Sequence, residues 1–147
     1  MGKINVGRLL VGAMVAGIIC FVGDGVLHGV ILSEGWKRIA AGMGRTPGDH
    51  PAHMVLFLAY DLAKGFVAVW IYAAVRPRFG AGPTTAVLAG LITWFATIPV
   101  PLFGLLPMGF FPVPFWAIWS GLGAIPVVAG TLAGGWLYKE EGAPAPT

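Results

Sequence analysis

Asp24 and His28 stand four residues apart in "VGDGVLHGV", near the end of an apolar stretch that begins at Gly7. A second run repeats the pattern. His53, Phe57, Asp61 and Lys64 are separated by four, four and three residues, the spacing of one helical face. Carboxylate, ammonium and imidazole in such apolar surroundings can do three kinds of chemistry. They can pair as ions and fix helix register, they can exchange a proton or a cation, or they can contact a ligand, including a polar cofactor headgroup.

The cost of isolation decides how these residues must be arranged. A lone Asp or Lys at bilayer depth costs at least ~2.5 kcal/mol. Asp24 lies eight residues before the end of its stretch, and Asp61 nine after the start of the next. At about 1.5 Å per residue, antiparallel helices bring the two to one height, with Lys64 nearer the middle. Lys64 is then expected to meet Asp24 across the helix interface and Asp61 along its own helix. Two carboxylates and one ammonium leave one negative charge over. Protonation of one Asp, protonation of His28, or a bound cation would each neutralise it.

Other site chemistry is less well supported. His28 and His53 fall on different helices at nearby depth, the minimum for a bis-histidine haem or a metal, and Asp49 and His50 follow just above. "GDHPAH" also reads as a helix start, with Asp49 as cap and Pro51 in the first turn. A catalytic metal wants three or more rigidly held ligands, so no metal or cofactor is expected, with haem or a pigment on His28 as the exception to test. Tyr60 beside Asp61 offers an acid or base without a nucleophile. The chain has no Gly-rich phosphate loop, HExxH or serine-triad pattern, and catalysis is not expected.

The elements that carry these residues follow from composition. Of 147 residues, 57% are hydrophobic and 10% charged, and the mean hydropathy is +0.83. Soluble domains carry about 25% charged residues, so the chain is expected to be an all-α, polytopic membrane protein. Segments 7–32, 52–75, 84–106 and 113–138 are each long enough to span a bilayer, giving one domain built as a four-transmembrane-helix bundle. The first segment runs past signal-peptide length and stays as a helix. The single cysteine, Cys20, excludes a disulfide within the chain. A net charge of +3 is scattered over loops with no basic run longer than "WKR" or "RPR", so no nucleic-acid partner is expected.

Connections differ in character. The polar loop 33–51 holds a short amphipathic stretch, with Trp36, Ile39 and Met43 set against Lys37 and Arg38. "LLPMGFFPVPFW" carries no charge, and Phe110, Phe111 and Trp116 are expected to contact a partner polypeptide or held lipid. The tail 139–147 is polar and Pro-rich. Pro99 and Pro101 should interrupt the third span and Pro126 the fourth. Small-residue pairs for close helix approach are Ala13 and Gly17, Gly25 and Gly29, Ala86 and Gly90, and Gly130 and Gly134. Lys3, Arg8, Arg76, Arg78 and Lys139 fall on one side, against Lys37, Arg38 and Arg45 on the other. By the positive-inside rule both termini are cytoplasmic. Trp70, Tyr72, Trp136 and Tyr138 then belt the inner interface, with Trp36 and Trp116 at the outer one.

"GKINVGRLLVG", "AVRPRFGAGPTTAVLAG" and "AGGWLYKEE", taken together, resemble a group of uncharacterised small bacterial integral membrane proteins with four spans. The resemblance implies the architecture and a bacterial inner membrane, and transfers no functional residue. The expected role is a non-catalytic accessory or structural subunit of a larger membrane complex. The alternatives are a small proton or cation channel or carrier acting as a homo-oligomer, and a haem- or pigment-binding subunit through His28 and His53.

Overall fold

A computed structural model describes residues 4–45 and 51–140; Asp49, His50 and the tail beyond 140 lie outside them. Among the described residues the chain is helical throughout, with no strand. It runs as α1 (Val6–Val26), a π-helical turn (Leu27–Ile31), α2 (Ser33–Gly42), α3 (Pro51–Phe79), α4 (Pro83–Thr97), α5 (Pro99–Leu105), a 3-10 turn (Leu106–Met108), α6 (Val113–Leu122) and α7 (Ala124–Leu137). Four stretches are long and apolar enough to cross a membrane: Val6–Ile31, Ala52–Phe79, Pro83–Met108 and Val113–Leu137. The chain is a multi-pass membrane protein built as an all-α four-helix bundle.

Local chemistry sets the ends. The Asn5 side chain accepts the Arg8 N–H at 3.0 Å and caps α1. Pro83 opens α4 where its missing N–H costs nothing, after a turn in which Gly80 and Gly82 adopt positive φ. Gly109, at φ 70°, turns the hairpin at the opposite end.

Both later spans are broken. Pro99 and Pro101 remove the N–H groups that Phe95 and Thr97 carbonyls would accept, and the third span breaks at Ile98, between α4 and α5. The fourth span breaks at Gly123 rather than at Pro126 itself. A proline clashes with the carbonyl four residues earlier, here Leu122, so the disruption falls in the preceding turn. The π turn closing the first span carries no comparable mark in the sequence; the Leu32 N–H bonds the Leu27 carbonyl at 2.8 Å, one residue wider than an α-helix.

α1 packs between α3 and α7, and α4 covers α3 and α7. Three of the four expected small pairs sit at these crossings. A Cβ on Gly17 would meet the backbone of Asp61 and Leu62, one on Gly130 the Ala16 carbonyl, and one on Gly90 the Val128 backbone and Thr131. Gly25 and Gly29 face open space, so that pair makes no crossing. The buried hydroxyls of Thr93 and Thr131 donate to the carbonyls of Ala89 and Val127 within their own helices, at 2.9 and 2.6 Å. Burying them therefore leaves no polar atom wanting.

Two aromatic expectations are corrected. Tyr72 and Tyr138 do not belt an interface; they are buried in the core against each other, ring centroids 6.2 Å apart. Trp70 and Trp136 are exposed, as interfacial tryptophans are. α2 lays Trp36 and Ile39 on Leu27, Leu32 and Phe115, while Lys37 and Arg38 point away. Gly35 sits flush on the Phe115 ring, and Met43, past the helix end, stays exposed.

Candidate functional site

The α1–α3 crossing pivots on glycine. A Cβ on Gly65 would strike the Gly17 backbone, so the two helices touch main chain to main chain. Lys64 is therefore held against α1 and reaches along it toward Asp24, two helical turns beyond Gly17. Its Nζ donates to Asp24 Oδ2 at 2.5 Å and lies 2.7 Å from Asp61 Oδ1. The side chains of Lys64 and Asp61 are 1% and 3% exposed, and that of Asp24 is 14% exposed. The ammonium also stands 5.0 Å from the Tyr60 ring centroid. The triad is one desolvated cation between two carboxylates.

The irregular backbone gathers around it. The Tyr60 hydroxyl, 3.5 Å from the Thr97 carbonyl, points to the oxygen that Pro101 leaves without a donor. Cys20, one turn below Asp24, directs its thiol to the Pro126 carbonyl at 3.6 Å, and Gly23 packs directly on the Pro126 ring. The Trp94 indole donates to the Ser120 carbonyl at 2.7 Å across the two breaks. The α4–α5 break, the first turn of α7 and the π turn of the first span thus surround the buried charges. Unwound backbone at membrane depth is tolerated where protein covers it, and often where it serves a bound ion.

His28 does not join the triad by any hydrogen bond. Its Nδ1 accepts the Trp36 indole N–H at 3.0 Å, and its ring lies edge-on to Trp119 with centroids 4.9 Å apart. Trp36 in turn packs on Phe115 and Trp119 at 5.0 and 5.2 Å. A nitrogen that accepts from an indole carries no proton, so His28 is the neutral imidazole with its proton on Nε2. It belongs to an aromatic cluster that fastens α2 over the end of the bundle. Nδ1 is thereby closed to a metal or haem iron. His53 sits exposed in the first turn of α3, and Asp49 and His50 lie outside the described residues. No group of three or more metal-ligating side chains occurs among the described residues.

The three groups expected to contact a partner divide. Phe110 is 51% exposed. Phe111 packs on Phe115 and Trp119, and Trp116 on Phe103 and the cluster around Ile98 and Leu102. These two are half-buried and also pack within the chain, because the broken spans fold back onto each other.

Spacing alone missed the role of Cys20, although it shares the Asp24 face four residues earlier. The cation–π contact of Tyr60 also had a signal, since Tyr60 and Lys64 are an i,i+4 pair. The Trp36–His28 bond had none, because it depends on how the π turn directs α2. Compared with models of known families, with characterised proteins and with solved structures, the chain matches none.

Proposed function

We propose that this chain is a proton-carrying membrane protein, a small carrier working as a homo-oligomer, whose exchangeable proton resides on the Asp24–Lys64–Asp61 triad. One observation carries the reading: a buried carboxylate, Asp61, and a partly buried one, Asp24, share a single ammonium, leaving one negative charge unbalanced at membrane depth. Three species could balance it. His28 does not, since its Nδ1 is an acceptor. A metal cation would have to take the place between the carboxylates that Lys64 Nζ occupies. A proton on one carboxyl needs no space, and Asp24 Oδ1, buried and without a hydrogen-bond partner among the described residues, is the oxygen to receive it. Asp24 is the most exposed member and the point of entry; Asp61 and Lys64 hold the charge behind it. The broken third and fourth spans supply segments able to shift beside the triad when it changes charge. The chain does this without catalysis and without a bound cofactor, in the bacterial inner membrane, with both termini cytoplasmic as the five-to-three basic asymmetry suggests.

Reconstitution into vesicles holding a pH-sensitive dye tests this. Wild-type protein should dissipate an imposed pH gradient faster than empty vesicles, and Asp24→Asn should abolish the difference. Equal rates in wild-type and empty vesicles would refute the reading.

A second reading rests on a different observation. The uncharged outer hairpin exposes Phe103, Met108, Phe110 and Val113 together, which suits an accessory subunit seated against a larger membrane complex. Phe110→Ser should then weaken co-purification of that complex from native membranes without lowering insertion.

A further inference from the structure

We infer that the end of the bundle farthest from α2 binds one anionic phospholipid, its phosphate on Arg76 and Lys139 and an acyl chain between α4 and α7. The bundle has a groove at each end. The one beside α2, about 630 Å³, carries Glu34 and Arg38, one charge of each sign. The one at the opposite end, about 590 Å³, is lined by Arg76 and Lys139 with no acid among its lining residues. Its remaining wall is apolar or aromatic, including Leu132, Ala86, Tyr72 and Trp136. A cationic mouth on an apolar trough is complementary to a negatively charged headgroup with a hydrocarbon chain; a soluble anion leaves the trough unused, and a zwitterionic lipid brings its own cation next to Arg76 and Lys139.

The cation is positioned in advance. Arg76 Nη1 donates to the Tyr138 carbonyl at 3.4 Å, its guanidinium carbon lies 5.6 Å from the Tyr138 ring centroid, and Nε stands 3.9 Å from Glu140. Those contacts hold the guanidinium at the groove wall, and the long Glu140 contact leaves most of its N–H fork for a phosphate. Lys139, exposed, follows Tyr138 directly. Trp136 is 81% exposed beside them, at the level where indoles mark the headgroup layer. Tyr72, whose hydroxyl accepts the Gly82 N–H at 3.3 Å, ties the α3–α4 turn to the same wall.

The test is native mass spectrometry of the full chain from detergent, offered phosphatidylglycerol and phosphatidylcholine in equal amounts. One phosphatidylglycerol should be retained in preference by roughly tenfold or more, as two cations at a membrane surface would give. Lys139→Gln, an exposed change that leaves the fold intact, should cut that preference several-fold, and Arg76→Gln with Lys139→Gln should remove it. Equal retention of both lipids, or unchanged preference in Lys139→Gln, would overturn the proposal. So would displacement of the lipid by millimolar inorganic phosphate, which would make the site one for a soluble anion.

Discussion

α1 makes two close crossings, one with α3 and one with α7, and they differ in whether charge takes part. At α7, Gly12 and Gly134 oppose each other, and a Cβ on either would lie 2.5 Å from the other's carbonyl oxygen. Gly130 meets Ala16 in the same way. No charge takes part. At α3 the approach of Gly17 and Gly65 is as intimate, yet a buried Asp61–Lys64 pair and the partly buried Asp24 stand beside it. Helix contact of this closeness is therefore obtained without ions in the same helix, by packing and dispersion alone. The α7 crossing is made without ions, whereas the α3 crossing bears the desolvation cost of the triad. That contrast supports the proposal that the α3 crossing carries the proton chemistry while the α7 crossing holds the bundle together.

The contrast is broken most severely from the scaffold side. Gly134→Leu would drive a side chain into the Gly12 carbonyl and Val69, a backbone collision that exceeds the about 1–3 kcal/mol of ordinary overpacking. The expected outcome is loss of the folded protein in detergent, seen as aggregation on size-exclusion chromatography. A normal elution profile would show that the α1–α7 seam can open.

On the charged side, Lys64→Met leaves two carboxylates without their cation, and breaking a buried pair costs about 3–5 kcal/mol in soluble proteins. Proton uptake by the carboxyls softens that loss, so the variant should regain stability as pH falls, whereas Asp24→Asn should be less damaging. Combining Asp24→Asn with Lys64→Met should recover part of the loss, the non-additivity of a direct pair. Melting curves of the three variants at two pH values decide; strict additivity would mean the groups act separately.

Tyr60→Phe removes a hydroxyl 3.5 Å from the Thr97 carbonyl but keeps the ring that faces Lys64. A loss of about 0.5–1 kcal/mol is expected, with hydrogen exchange around the α4–α5 break rising more than elsewhere. Uniform exchange would show that the break does not depend on this contact.

The smallest effect belongs to α2. Glu34 is fully exposed, and its hydrogen bond from Lys37 at 2.6 Å, with the Lys37 charge, holds its carboxyl below the ordinary value of 4.5. Because that folded value is depressed, the stabilisation is present above pH 4.5 and fades as pH falls through the lowered value. Glu34→Gln should leave the melting temperature near neutral pH almost unchanged and weaken only the acid dependence. A large shift would give the α2 end of the bundle a weight that otherwise belongs to its interior.

The sequence by itself determined the spans, because about 20 apolar residues in a row have few other places to go. It also determined that Asp24, Asp61 and Lys64 should converge, since depth and helical face follow from counting residues and isolation in lipid is costly. Sequence spacing marked the Gly17, Gly90 and Gly130 contacts too, though not that Gly25 and Gly29 would face open space. Tertiary structure alone decided what depends on angles between elements. The π turn aims α2 so that Trp36 reaches His28, which removes imidazolium from the charge balance. The breaks at Ile98 and Gly123 turn Phe111 and Trp116 inward, and they bring the Thr97 and Pro126 carbonyls beside Tyr60 and Cys20. Periodicity reports which face of a straight helix a residue occupies; once a helix breaks, the direction of the next segment is set by what it packs against.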